Sequence, residues 1–182
     1  NENFTHTNNP YSVYGYYFLT DGAEVKVPEQ IKYDKTTSER IETFDDYLLH
    51  EKELVSINLS GRRLFEKLSQ STQTFNDFGN PETLGIVEGE IYVDYKFVPL
   101  TTTSEAQGEI TLSFAGNKLY NGNTSLQSGT YTKGKDMELA QKYEYKAGDH
   151  LSVKLEYKKS QQPSTDGYVD YIRLNVKRQL KT

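Results

Sequence analysis

The sequence predicts an all-β fold: an antiparallel β-sandwich of the jelly-roll type with at most one or two short helices. Three observations favour it. Apolar and polar residues alternate in several separate segments, as they do in strands with one buried face. Turn residues such as Gly, Asn, Asp and Pro separate these segments at short intervals. The chain also contains 15 Tyr and 8 Phe among 182 residues, and aromatic residues favour strands.

The closing segment, residues 166–180, has the clearest pattern. Ile172, Leu174 and Val176 occupy every second position, which predicts a last strand with one buried and one solvent-facing side. The residues between them, expected to face solvent, are Arg173, Asn175 and Lys177. The same alternation places Asp170 on the buried face. Because an ionised carboxylate is costly there unless it is paired, Asp170 is expected to have a partner.

The first third of the chain gives a mixed prediction. Residues 1–12 are expected to form a polar arm, and residues 13–182 a single β-sandwich domain. Strands are predicted at 13–20 and, before Pro28, from Val25. Residues 47–51 fit either a short helix or a strand, and the β-rich surroundings favour the strand.

One short helix is expected next. Leu64, Phe65 and Leu68 have helical spacing, and Ser60 has a side chain suited to capping one or two turns there.

The rest of the chain predicts strands and turns in succession. Strands are expected at residues 73–78, 89–98, 110–114, 118–120, within 137–145 and at 151–157. Residues 79–81, Gly-Asn-Pro, predict a turn, and residues 121–134 and 158–165 predict loops. Within the first of these loops, one short strand near Tyr131 is an alternative.

Composition excludes several classes of function. A net charge of -5 with scattered Lys and Arg offers no basic stripe for nucleic acid. No apolar run approaches the length of a membrane span. The absence of Cys removes disulfides and thiol nucleophiles, and His6, His50 and His150 lack paired metal-ligand spacing. No cofactor is therefore expected.

Three groups of candidate site residues emerge. Asp170 is expected to pair with Arg62 or Arg63, whose guanidinium groups can bind a carboxylate with two hydrogen bonds. This pair would pin the last strand. A calcium site is an alternative for the acidic groups, although they lack the regular spacing of a calcium loop. Those groups are Asp45 with Asp46, and Asp166 with Asp170.

Tyrosines suggest a different kind of site. Tyr92 alternates with apolar Ile91 and Val93 and is expected to face solvent. Flat amphipathic rings of this kind stack on sugars, so Tyr92, Tyr14 and Tyr16 are candidates for contact with a glycan or a partner. Filling the core is the alternative role for these tyrosines.

Several segments, in order, resemble a known family. Asn9-Pro10-Tyr11-Ser12 running into residues 16–20 resembles an "N-x-Y-x-L-T" strand, and residues 43–52 resemble an "E-x-D" element. Ser60-Gly61-Arg62 resembles "SGREW", although Arg63-Leu64-Phe65 departs from it. Residues 167–175, GYVDYIRLN, resemble "GYLDYIELN". These motifs belong to the non-catalytic N-terminal region of PorU-like type IX secretion system sortases, relatives of the gingipain (C25) peptidases of Bacteroidota.

The resemblance implies a non-enzymatic role. It implies a β-sandwich module that packs against or positions a C25-like peptidase domain or a surface partner, in a secreted or cell-surface protein. The catalytic Cys and His of the family lie in a separate peptidase domain, and a chain without Cys cannot perform that chemistry. A carbohydrate-binding jelly roll that uses exposed tyrosines is the alternative function.

Overall fold

The structure is a computed structural model that describes residues 40–57, 63–100, 107–124, 136–159, 162–163 and 166–180. The predicted arm, the strands before residue 40 and the short strand considered near Tyr131 lie outside these residues. Within them the elements, in chain order, are β1 (Thr43–His50), β2 (Glu66–Lys67), β3 (Thr72–Phe75), α1 (Pro81–Leu84), β4 (Gly89–Pro99), β5 (Gly108–Phe114), β6 (Asn117–Asn123), β7 (Met137–Tyr145), β8 (Val153–Lys159), β9 (Gln162–Pro163) and β10 (Gly167–Gln179).

The strands form two antiparallel sheets. The first has the order β1-β10-β4-β7, with β2 also paired to β10, and the second has the order β3-β8-β5-β6, with β9 paired to β8. Eight strands remain when the two-residue strands β2 and β9 are left out. Numbered one to eight in chain order, they have the order 1-8-3-6 in the first sheet and 2-7-4-5 in the second. This arrangement, in which consecutive strands change sheet except at the β5–β6 hairpin, is that of a jelly roll. The predicted fold class is confirmed.

The main core lies between the two sheets and follows the predicted alternation. On β4 the inward side chains Ile91, Val93, Tyr95 and Phe97 are fully buried. Their counterparts on the second sheet come from β5 and β8, namely Ile110, Leu112, Phe114, Val153, Leu155 and Tyr157. A second, smaller cluster contains Phe65, Val98 and Tyr168. Burial of both sets of side chains supplies the main stabilising free energy.

The closing strand β10 differs from the expectation in its second face. Ile172, Leu174 and Val176 are in the core as predicted, but Arg173 and Asn175 are also buried, with 5% and 3% of their surface exposed. The predicted solvent-facing side of these two residues is therefore wrong. β10 is a central strand between β1 and β4, and neighbouring side chains surround both of its faces.

A register shift in β10 also changes the expected position of Asp170. Val169 pairs with Phe97 while Tyr171 pairs with Lys96, so Asp170 is an extra residue in a β-bulge. A bulge reverses the alternation on one strand. The Asp170 carboxylate consequently lies beside Lys96, whose side chain points away from the core because it alternates with the core residues of β4. The prediction that Asp170 faces the core is therefore wrong.

Three local predictions need correction. Leu64, Phe65 and Leu68 form no helix: Phe65 bridges to Val55 and residues 66–67 are β2. Their spacing arises because Phe65 enters the second cluster while Leu68 enters the main core. The helix is instead α1, at the predicted turn, where Asn80 caps the first turn through Thr83 N.

The two predicted loops are partly strands. β6 continues to Asn123, and β9 lies within the predicted loop at 158–165 and pairs with β8. Backbone pairing extends these strands beyond the residues whose side chains show alternation. The preference for a strand at 47–51 is correct but too short, since β1 runs over Thr43–His50. In the described residues, no helix has the length and apolar character needed to cross a membrane.

Candidate functional site

Asp170 belongs to a charged network on the outer side of the first sheet. Arg63 Nη2 donates to Asp170 Oδ2 at 2.7 Å, and Arg63 Nη1 donates to Asp136 Oδ2 at 2.8 Å. Lys96 Nζ lies 3.8 Å from Asp170 Oδ2 and 3.8 Å from Glu138 Oε2. The network thus joins β10, β4 and β7 to the segment before β2.

Arg63 is held in place by more than one interaction. Burial alone would lower the pKa of Arg63, but hydrogen bonds to Asp170 and Asp136 raise it. The guanidinium carbon also lies 5.0 Å from the centre of the Phe65 ring, a cation–π distance. Of the two arginines proposed as partners, Arg63 is the one in contact with Asp170, and Arg62 lies outside the described residues.

The segment after Arg63 packs on the start of β10. Leu68 N donates to Gly167 O at 2.9 Å, and the Phe65 and Tyr168 rings meet edge to face at 6.4 Å. A Cβ at Gly167 would lie 2.5 Å from Phe97 Cζ, so glycine is needed for this close approach. The segment that follows Ser60-Gly61-Arg62 along the chain is therefore next to the start of β10, whereas those three residues themselves lie outside the described part of the chain.

A second polar cluster surrounds His50, the last residue of β1. His50 Nδ1 lies 2.6 Å from Asp77 Oδ2, and His50 Nε2 lies 2.6 Å from Glu66 Oε2. His50 is buried and its ring packs edge to face on Phe75 at 4.7 Å. The contact to Asp77 links β1 of the first sheet to the end of β3 in the second, and so closes one side of the sandwich.

The His50 cluster resembles a catalytic arrangement but lacks a necessary feature. A histidine that acts as general base needs one ring nitrogen facing the nucleophile, whereas both nitrogens of His50 contact carboxylates. The adjoining cavity of about 310 Å³ is lined by polar residues that include Lys52, Gln73 and Thr74. The geometry is that of a structural cross-link between sheets.

A larger opening lies at one end of the sandwich, where three turns converge. This loop-end cleft has a volume of about 830 Å³. It is lined by residues 76–81 between β3 and α1, by the β5–β6 turn and by the β7–β8 turn. The lining residues are Asn76, Gly79, Asn80, Pro81, Ala115, Gly116, Gly148, Asp149, His150, Leu151 and Ser152. Its size falls within the range of ligand pockets.

Tyr92, the solvent-facing candidate, is half-buried on the outer side of β4. Lys142 Nζ lies 5.1 Å from the centre of its ring, so an ammonium group occupies one ring face. The other two tyrosine candidates, Tyr14 and Tyr16, lie outside the described residues. A stacking role for any of the three stays a prediction.

Each of the four acidic candidates lies beside a basic residue. Asp46 Oδ2 accepts from Arg178 Nη1 at 2.6 Å, and Asp45 Oδ1 lies 3.7 Å from Lys177 Nζ. Asp166 Oδ2 lies 3.9 Å from Lys159 Nζ. Among the described residues, no group of three or more His, Asp or Glu could hold a metal ion.

Sequence reasoning missed the His50 cluster and the loop-end cleft. Glu66 and Asp77 are far from His50 along the chain, and no spacing motif joins them. The only signal in the sequence was that His50 lies two residues after Leu48, so both side chains point to the same face of a strand. The cleft is formed by turn residues whose glycines and asparagines predict turns but not their convergence.

Comparisons with known proteins identify similar folds. No protein-family model matches the sequence, and no curated protein matches it. Among solved structures, the chain is similar to dimeric latent PorU from Porphyromonas gingivalis, with a TM-score of 0.59 and 21% identity over 81% of this chain and 14% of that chain. The chain therefore corresponds to a small part of PorU, and this likeness supports the fold.

Two carbohydrate-binding modules are more distant. The CBM22-1 xylan-binding domain of Paenibacillus barcinonensis Xyn10C has a TM-score of 0.32 and 11% identity, with 74% of this chain and 85% of that chain covered. A family 35 module from Clostridium thermocellum has a TM-score of 0.31 and 12% identity, with 72% and 90% covered.

Proposed function

We propose that the chain is a non-catalytic β-sandwich module of a secreted or cell-surface protein related to type IX secretion system sortases. In this role it packs against, and positions, a C25-like peptidase domain or another surface protein. The sequence resemblance and the similarity of the fold to part of PorU support the proposal.

The observation that carries the docking role is the distribution of exposed apolar side chains. In the described part of the chain, the large exposed ones lie on β1 or on segments next to it: Ile41, Phe44, Tyr47, Leu54, Val55 and Leu180. Leu180 reaches this group because its backbone N–H donates to Glu42 O at 2.8 Å. We name these six residues the β1-edge surface.

The β1-edge surface has the character of a contact region. Single exposed apolar residues are common. These six lie along one sheet edge, with Phe44 and Tyr47 on opposite faces of β1, so we expect a partner to contact the edge from both faces. β1 is also an edge strand within the described sheets, and such strands offer backbone groups to a partner. Polar cross-links on either side, at His50 and at Arg63, fix the shape of the sandwich next to this edge.

The proposal is tested by binding in solution. The chain is mixed with a separately produced C25-type peptidase domain of the same organism, and association is measured by calorimetry and analytical ultracentrifugation. We expect the double variant Ile41→Glu/Leu54→Glu to bind at least about tenfold more weakly, since it places two charges on an apolar contact surface.

A matched control uses an edge strand of the second sheet. Lys118→Glu changes the net charge by the same amount as the double variant, at an exposed position of β6, and it should bind like the unmodified chain. The docking role is rejected if the unmodified chain does not associate with the peptidase domain, or if the double variant and the control bind equally.

A further inference from the structure

The loop-end cleft has walls that are fastened to one another. Ala115 N, in the β5–β6 turn, donates to Ser152 O at 3.0 Å across to the β7–β8 turn. Asn117 Nδ2 donates to the Tyr143 hydroxyl at 3.1 Å, and that hydroxyl donates to Asp149 Oδ2 at 2.9 Å. These bonds join two of the three turns, so a ligand would meet a largely preorganised site.

The backbone conformation opens the cleft to a ligand. Gly79, Ala115, Gly116 and Gly148 all have positive φ, from 48° to 93°. A Cβ added at Gly116 or Gly148 would meet nothing within 4 Å, so there is open space beside these two turns. Close backbone approach to a ligand is one use of glycine at such positions.

The polar groups of the lining both donate and accept hydrogen bonds. Asn76 and Asn80 contribute side-chain amides, Ser152 a hydroxyl and His150 an imidazole. The Asn80 Oδ1 atom accepts from Thr83 N at 3.0 Å, and its NH₂ group is a hydrogen-bond donor. Asn76 and His150 are exposed. Groups of this kind complement vicinal hydroxyls, each of which can also donate and accept.

The charge of the cleft disfavours anions. No Lys or Arg is among its lining residues, and Asp149 contributes a carboxylate. Burial, followed by the carboxylates of Asp149, Glu82 and Glu88, raises the pKa of nearby Tyr145, which agrees with a negative potential at this end of the sandwich. Leu151, which also lines the cleft, is buried in the core.

We infer that the loop-end cleft binds a neutral saccharide, held by hydrogen bonds from Asn76, Asn80, His150 and Ser152 rather than by stacking on a tyrosine. The inference is independent of docking at the β1-edge surface. It also differs from the tyrosine hypothesis, because the cleft lies at the turns and Tyr92 lies on the outer side of β4.

The test is a titration of the isotope-labelled chain followed by amide NMR. Neutral sugars (glucose, xylose, galactose, N-acetylglucosamine and their β-linked disaccharides) are added at millimolar concentration, with glucuronate as the anionic probe. We expect shifts at residues 76–81, 115–116 and 148–152 with at least one neutral sugar, and at least tenfold weaker binding of glucuronate.

Variants locate the site. Asn76→Ala and His150→Ala change exposed side chains and should each weaken saccharide binding several-fold, whereas Tyr92→Ala should leave it unchanged. The inference is overturned if no neutral sugar shifts the cleft residues, if glucuronate binds as well as the neutral sugars, or if binding is lost in Tyr92→Ala but kept in both cleft variants.

Discussion

Arg173 and Asp94 lie directly opposite each other on β10 and β4 and form a buried ion pair on the outer side of the first sheet. Arg173 Nε and Nη2 donate to Asp94 Oδ2 at 3.1 and 2.5 Å, and Asn175 Nδ2 donates to the same oxygen at 2.9 Å. Asp94 Oδ1 and Arg173 Nη1 are buried without a hydrogen-bond partner. The pair therefore bears a desolvation cost, which its own hydrogen bonds and the one from Asn175 offset in part.

Removing one member of this pair should destabilise the fold strongly. Arg173→Met keeps most of the side-chain volume but leaves the buried Asp94 carboxyl group without its cationic partner, so we expect the free energy of unfolding to fall by about 3 kcal/mol. The double variant Asp94→Leu/Arg173→Met should lose much less, since neither charge remains. Chemical denaturation measures both values.

A surface pair serves as the control for that experiment. Lys142 Nζ lies 3.0 Å from Glu90 Oε2 on the same side of the sheet, but both side chains are well exposed. Lys142→Met should change stability little because water screens this pair. Equal losses for Lys142→Met and Arg173→Met would contradict the role assigned to burial.

The contact between Arg63 and Asp170 should be modestly stabilising. Arg63 is 39% exposed and Asp170 17% exposed in their side chains, so the double-mutant cycle of Arg63→Gln and Asp170→Asn should give a coupling of about 0.5–1 kcal/mol. The coupling should decrease at high salt. A coupling well below about 0.5 kcal/mol would show that this contact does not stabilise the position of β10.

Two buried tyrosines should respond in opposite ways to loss of the hydroxyl. The Tyr95 hydroxyl is buried without a hydrogen-bond partner, whereas the Tyr171 hydroxyl donates to Glu138 Oε1 at 3.0 Å. Tyr95→Phe should therefore leave stability unchanged or raise it by about 1 kcal/mol, and Tyr171→Phe should lower it by about 1 kcal/mol. Thermal and chemical unfolding of the two variants test this, and a larger loss for Tyr95→Phe would contradict it.

Alkaline pH should destabilise the protein through the same residues. Burial raises the pKa of Tyr95 and of Tyr171, and the hydrogen bond to Glu138 raises that of Tyr171 further. The folded state keeps these protons where the unfolded chain loses them. Stability is thus fully present below the ordinary tyrosine pKa of about 10 and falls as the pH rises above it.

The variant Tyr95→Phe offers a check on the alkaline effect. Its free energy of unfolding, measured between about pH 9 and about pH 11, should decline less steeply than that of the unmodified chain. Identical slopes would show that Tyr95 does not contribute.

The elements that the sequence predicts well are those whose environment is set by local alternation. On β4, β5 and β8, every second residue is apolar and enters the core, because each of these strands has one face toward the opposite sheet. The preference for a strand at β1 rested on the β-rich surroundings and not on its own ambiguous pattern. Both kinds of inference depend on near neighbours in the sequence.

The features that the sequence did not predict depend on residues that are distant along the chain. The burial of Arg173 follows from the neighbouring strands that pair with β10, and the outward position of Asp170 follows from a bulge with no signature in the sequence. The Arg63 contact was among the predicted pairs because a carboxylate that is costly to bury requires a cationic partner, whatever its place in the sequence. The loop-end cleft needs three turns to converge, which only the topology determines.

His50 should contribute far more to stability than His150, although both are histidines next to turns. His50→Ala removes the ring that packs on Phe75 and leaves Glu66 Oε2 and Asp77 Oδ2 without the His50 contacts. We expect a loss of about 3 kcal/mol, since a buried carboxylate loses a charge-assisted bond and the two sheets lose a cross-link. His150→Ala changes an exposed side chain and should unfold at the same denaturant concentration as the unmodified chain. Matching midpoints for the two variants would show that the cluster does not close the sandwich.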